Sequence, residues 1–138
     1  MKARTVLGFD YGTKRIGVAV GQEVTRTARP LTTLLYSATN PVWPRIGQLL
    51  KEWQPDALIV GLPAHLDGTP HAMTAKAQDF IQQLQHHSGL PIYPVDERLT
   101  SFAAELEVGT ARANKAQVDQ VAAQIILQAW LNQPSEVV

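Results

Sequence analysis

The chain has 138 residues, enough to bury one hydrophobic core without covalent staples. Twelve acidic residues balance twelve basic ones, so net charge argues neither for nor against a polyanionic partner. There is no cysteine, which excludes disulfides, thiol catalysis and zinc–thiolate sites.

No run reaches the roughly 20 apolar residues of a membrane span, and the N-terminus lacks the apolar core of a signal peptide. A cytoplasmic protein with a single domain over residues 1–138 and no membrane partner is expected. Charge is uneven along it. Residues 1–40 hold Lys2, Arg4, Lys14, Arg15, Arg26 and Arg29 against Asp10 and Glu23, a weak pointer to an anion-facing side.

The first elements read as strands. "RTVLGFD" is apolar and ends at Asp10. "RIGVAVG" alternates, with Ile16, Val18 and Val20 on one face and the small Gly17 and Ala19 on the other, where something must pack closely. The four residues "YGTK" between them suit an antiparallel hairpin. "ARPLTTLL" is a third strand, placed at an edge because Pro30 cannot donate to a ladder.

The period then lengthens. Asn40-Pro41 predicts a helix start, and Val42, Ile46, Leu49, Leu50 and Trp53 fall on one stripe. "DALIVGLP" is a continuous apolar run, as for a strand covered on both faces. Thr69-Pro70 opens a second helix that carries Met73, Ala77, Phe80, Ile81 and Leu84 and stops at Gly89. "LPIYPVDE" is a fifth strand. A short helix is expected after Thr100 or Ser101, and a last one from Asn114 to about Leu131. The hairpin, followed by right-handed crossovers, gives a five-stranded mixed sheet of order 3-2-1-4-5 with helices on both faces.

In open α/β sheets, sites form beyond the carboxyl ends of strands near a topological switch. Asp10, Gly61 and the pair Asp96-Glu97 meet that condition. Alternation lets only one of Asp96 and Glu97 point into the site; Glu97 is preferred, and Asp96 then pairs with an arginine or caps the next helix. A third carboxylate, Asp119, lies on the last helix on a face with Ala122, Ala123, Ile126 and Trp130. A charge on such a face is costly unless a cation or donors meet it; the bland alternative is a favourable place near a helix N-terminus. Three carboxylates on one rim suit Mg²⁺ or Mn²⁺, which takes oxygen ligands and leaves coordination sites for phosphate.

The blocks "GFDYGTKRIGVAV", "IVGLPAHLDGT", "VDERLTS" and "VDQVAAQIILQAWL", in that order across nearly the whole chain, resemble the YqgF or RuvX-like family of the RNase H-like superfamily. The resemblance implies an RNase H-like fold and a metal-dependent nuclease. Family members are described as acting in 5′-end maturation of pre-16S rRNA, and earlier as Holliday junction resolvases. Carried over by motif, Asp10, Glu97 and Asp119 would be the catalytic metal ligands, and Thr13, Lys14, Arg15 and Arg98 would meet phosphates. The implied partners are structured RNA, branched DNA and a ribosomal precursor particle. Resolvases of this superfamily carry a second aspartate on the final helix, where this chain has Ala122 and Ala123. Removing one of three like charges is expected to leave the thermal midpoint unchanged or raised.

Two rival readings remain. "FDYGTKRIGVAV" also resembles the first phosphate loop of the actin, hexokinase and Hsp70 superfamily, but that ATPase architecture needs two lobes and 138 residues supply one. The other rival is a non-catalytic module that binds RNA through its basic hairpin. The histidines argue for neither: His86-His87 close a helix, and His65 and His71 flank a turn at Asp67-Gly68. Trp43, Trp53 and Trp130 read as core. Junction cleavage would require a dimer, for which no stripe is legible.

Overall fold

The computed structural model describes residues 4–62, 72–96 and 115–133. Strands β1 (Thr5–Tyr11), β2 (Arg15–Gln22) and β3 (Thr27–Leu35) form an antiparallel meander. Helix α1 (Trp43–Trp53) leads to β4 (Ala57–Leu62), which lies parallel to β1. Helix α2 (Ala72–Ser88) leads to β5 (Ile92–Asp96), parallel to β4. Helix α3 (Lys115–Asn132) closes the described chain. The sheet has five strands in the order β3-β2-β1-β4-β5, as the sequence predicts.

Side-chain alternation divides the sheet into two cores. On one face Leu7, Phe9, Ile16, Val18, Leu58 and Val60 meet Ile46 of α1 and Phe80 and Leu84 of α2. On the other, Val6, Ala19, Ala57 and Ile59 meet Ala123, Ile126, Leu127 and Leu131 of α3. The small-residue phase of β2 is therefore the phase that receives α3. Burial on this scale, roughly 1.5–3 kcal/mol per large apolar side chain, holds the two helical layers on the sheet.

Helix α1 begins later than the sequence predicts. Val42, not Asn40, is its N-cap residue, and makes no side-chain capping bond. Asn40 is drawn elsewhere: its backbone pairs with Ser37, and its side-chain amide donates to the Leu35 carbonyl at 3.2 Å. Pro44 sits in the first turn, where no amide is needed. Gly89 ends α2 at a positive φ of 67°, and its N–H donates to the Gln85 carbonyl at 2.8 Å.

Strand β3 is an edge, as Pro30 requires, and a bulge lies there: Val18 pairs with Thr32 and Ala19 with Pro30, leaving Leu31 extra. Helix α3 engages this edge with glutamines. The Ala28 N–H donates to Gln128 Oε1 at 3.1 Å, and Gln124 Nε2 donates to the Ala28 carbonyl at 3.1 Å. Gln128 Nε2 also donates to the Arg26 carbonyl at 2.8 Å. The tryptophans are core margins: Trp43 and Trp53 border the α1–α2 side, and Trp130 packs beside Tyr93 across the α3 side. The helix expected after Thr100 or Ser101, the Thr69-Pro70 helix start, and His65 and His71 lie outside the described residues.

Candidate active site

Strand β1 is the centre of the sheet, antiparallel to β2 and parallel to β4, so its carboxyl end is the switch point of the topology. Asp10 is half-buried at that end. Its face follows from its neighbours. Val6 packs on α3, and a Cβ on Gly8 would come within 2.8 Å of Leu127 Cβ of α3. Strand periodicity puts Asp10 in the same phase, on the side of α3.

Directly opposite Asp10 in the ladder is Gly17. A Cβ there would lie 2.0 Å from the Asp119 carbonyl oxygen, so glycine is what lets the N-terminal half of α3 touch the sheet. Asp10 and Asp119 thus flank one glycine, brought together by a strand end and a helix more than 100 residues apart in the chain. The Asp119 side chain is 18% exposed, and its Oδ2 accepts a short 2.6 Å bond from Arg15 Nε. A cation meets this carboxylate, which is the condition its apolar helix face imposes. The finding also changes one expectation: Asp119 is not held against like charge alone, so neutralising it removes an attraction.

The turn between β1 and β2 is braced from the opposite face. A Cβ on Gly12 would approach the Arg15 carbonyl oxygen to 2.5 Å, so the tight reversal needs glycine. Tyr36 fastens it twice: its hydroxyl donates to the Gly12 carbonyl at 2.6 Å and its N–H to the Lys14 carbonyl at 3.1 Å. Burial pushes the Tyr36 phenol well above its ordinary range, helped by a hydrogen bond and electrostatic contact with Tyr11. Thr13 and Lys14 remain exposed at the tip, where a phosphate could reach them.

Glu97 and Arg98 lie outside the described residues. Strand β5 runs to Asp96, and its Tyr93 and Val95 pack on the α3 side. His86 and His87 are exposed in the last turn of α2, and the His87 ring stacks on Trp43 at 4.4 Å. Among the described residues no three acidic or histidine side chains form a metal cluster. The two that converge, Asp10 and Asp119, are hard oxygen donors, and the guanidinium on Asp119 shows that a positive charge suits the position. This donor set fits Mg²⁺ or Mn²⁺ and not a softer metal. Sequence reasoning did not single out Tyr36. Gly17 could be found, and was half found, through the small residues on its face of β2.

The RuvX family, described as a Holliday junction resolvase family, matches residues 4–133. The chain belongs to the RuvX family. Among its relatives is a protein of Pseudomonas fluorescens (strain Pf0-1) named "Putative pre-16S rRNA nuclease", 48% identical over 140 residues, covering 96% of this chain and 95% of the relative. A protein of the same name from Pectobacterium carotovorum is 46% identical over 134 residues, covering 94% and 96%. Among solved structures, T. thermophilus RuvC in complex with Holliday junction substrate superposes with a TM-score of 0.61 at 18% identity, covering 94% of this chain and 97% of RuvC. The yeast mitochondrial resolvase Ydc2 gives 0.55 at 9% identity, covering 91% and 77%. At such identities the likeness is one of fold: this RuvX-family chain has the RNase H-like architecture of RuvC. No helix among the described residues is long and apolar enough to cross a membrane.

Proposed function

We propose that this protein is a metal-dependent nuclease that hydrolyses phosphodiester bonds in cytoplasmic 5′-end maturation of pre-16S rRNA. The observation that carries the reading is the convergence of Asp10 and Asp119 on either side of Gly17, at the carboxyl end of the central strand. The names of relatives at 46–48% identity supply the substrate. Asp10 and Asp119 hold Mg²⁺, with Glu97, carried over by its motif directly after β5, as third ligand. Mg²⁺, when bound, supplies Lewis acidity toward the phosphate and an activated water. Thr13 and Lys14 meet the substrate backbone from the exposed turn that also carries Arg15, and Arg98 is assigned to phosphate by its motif alone. Tyr36 keeps that turn in place, and no side chain of the chain is needed as a general base.

The family description favours a second reading, cleavage of branched DNA. Against the four-carboxylate form of it, Ala122 and Ala123 are 2% and 0% exposed, so neither offers room for another aspartate. One experiment separates the readings. Purified protein is incubated with Mg²⁺, with Mn²⁺ and with EDTA, on an rRNA precursor with an extended 5′ end, an unrelated single-stranded RNA and a four-way DNA junction. Metal-dependent cutting of the precursor alone, lost in Asp10→Asn, is the expected result. Junction cutting would make the protein a resolvase. Metal-independent binding of RNA with no cutting would make it a binding module.

A further inference from the structure

The Arg15–Asp119 pair bears on how metal and substrate enter the site. Asp119 is fixed. Its backbone lies against Gly17, with the carbonyl oxygen 2.0 Å from where a Cβ would stand, so the helix has no slack at this residue. Arg15 is not fixed in the same way. Its side chain is 34% exposed, is long, and projects from the first residue of β2 beside the exposed Thr13 and Lys14. Any rearrangement of the pair is therefore borne by the arginine.

The guanidinium and a divalent cation compete for the same carboxylate. Oδ2 already accepts a 2.6 Å charge-assisted bond from Nε. A guanidinium and a divalent cation on one carboxylate repel each other, so Asp119 ligates a metal less tightly while Arg15 stays on Oδ2, and metal binding favours the arginine's release. A guanidinium that leaves a partly buried carboxylate needs another anion, and a phosphodiester offers matching fork geometry. The turn that carries Arg15 is where a substrate backbone would lie.

We infer that Arg15 is a positioning residue that couples metal binding to substrate binding: it occupies Asp119 in the free protein and transfers to a phosphate of the nucleic acid when metal takes its place. The inference rests on the nuclease reading, in which Asp119 is a metal ligand. Its consequences run in both directions, because coupling between two ligands is reciprocal. Without nucleic acid, Arg15 weakens metal binding; with nucleic acid, metal and substrate strengthen each other. A merely structural ion pair would do neither.

The test is Mn²⁺ titration by calorimetry of the full chain and of Arg15→Gln, Arg15→Lys and Asp119→Asn, each first shown folded by circular dichroism. Titrations are run with and without a cleavage-resistant 2′-O-methyl phosphorothioate oligonucleotide. Free Arg15→Gln is expected to bind Mn²⁺ about tenfold more tightly than the wild type, within the usual range of coupling between sites. The oligonucleotide is expected to tighten Mn²⁺ binding several-fold more in the wild type than in Arg15→Gln, where only direct contact between metal and phosphate remains. Arg15→Lys, which keeps the charge, should bind free Mn²⁺ as weakly as the wild type, so the result does not depend on one variant folding. Equal Mn²⁺ affinity in the wild type and Arg15→Gln, with Asp119→Asn weaker than both, overturns the inference and leaves the nuclease reading intact. Mn²⁺ binding that is absent from the wild type and from Arg15→Gln alike, with and without the oligonucleotide, or that is indifferent to Asp119→Asn, overturns both.

Discussion

The carbonyl oxygen of Asp119 stands where a side chain on Gly17 would have to go, 2.0 Å from an ideal Cβ. Asp10 faces the same glycine across the ladder. One missing methyl group thus sets the distance between a strand and the helix that bring two carboxylates to one rim.

Gly17→Ala is expected to be among the costlier single substitutions in the chain. The clash is with backbone, which cannot rotate away as a side-chain tip could, so α3 must shift. Overpacking of this kind costs about 1–3 kcal/mol, readable as a lower urea midpoint. Activity should fall further than stability, because the shift moves Asp119 away from Asp10. Full activity in a folded Gly17→Ala protein would show that the close approach of α3 is not needed for chemistry.

Neutralising the carboxylates should abolish turnover in Asp10→Asn, Glu97→Gln and Asp119→Asn, assayed on the rRNA precursor. Their stabilities should not be alike. Asp119→Asn removes a partly buried, short bond to Arg15, and Arg15→Gln strands the carboxylate. Each is expected to cost about 1 kcal/mol, the upper end for a partly exposed pair, or roughly 3 °C in melting temperature for a chain of this size. The double variant Arg15→Gln/Asp119→Asn should lose less than the two single losses added together. Strict additivity in that cycle would mean that the two side chains do not interact in solution.

Tyr36→Phe tests the brace on the turn. Loss of the 2.6 Å bond to the Gly12 carbonyl should cost about 1 kcal/mol and loosen Thr13 and Lys14, weakening oligonucleotide binding more than it slows chemistry. There is a pH signature too. The folded phenol is held above the ordinary tyrosine value near 10 by burial and by Tyr11. The folded state therefore keeps its proton where the unfolded state loses it, so this contribution is intact below about pH 10 and declines as pH rises beyond it. Urea midpoints between pH 8 and pH 11 should fall more steeply for the wild type than for Tyr36→Phe; parallel curves would deny the phenol any part in alkaline stability.

Gly47→Ala should act in the opposite direction. Gly47 lies within α1, and nothing stands within 4 Å of where its Cβ would be. Replacing glycine inside a helix gains about 0.5–1 kcal/mol when no contact opposes it. A higher urea midpoint with unchanged cleavage is the expected result, and a lower midpoint would reveal a steric demand that the helix does not show.

Much of the architecture was legible because it is written in short-range pattern. Alternation at Ile16, Val18 and Val20 against Gly17 and Ala19 named the two faces of β2, and the hairpin with its crossovers left one sheet order. Pro30 named the edge. What escaped was long-range or competitive. Asn40 has the chemistry of a helix cap, but its amide is drawn to the Leu35 carbonyl, and α1 starts two residues later, with Val42 at the cap. The motif marks Arg15 as a phosphate contact; nothing local says that its present partner is 104 residues away. Tyr36 looks like any strand-end aromatic until the turn it fastens is in view. The two carboxylates themselves were legible because each breaks a rule of its element, a charge ending a buried strand and a charge on an apolar helix face.

The glutamines of α3 have a further consequence at the outer edge of β3. With the amide of Ala28 given to Gln128, and its carbonyl and that of Arg26 taken by Gln124 and Gln128, this stretch of edge is sealed against a sixth strand. Two chains crowded onto one nucleic acid could meet through helices or loops, but they would not fuse their sheets along this seam. The same helix that brings Asp119 to the rim also acts as a guard against aggregation.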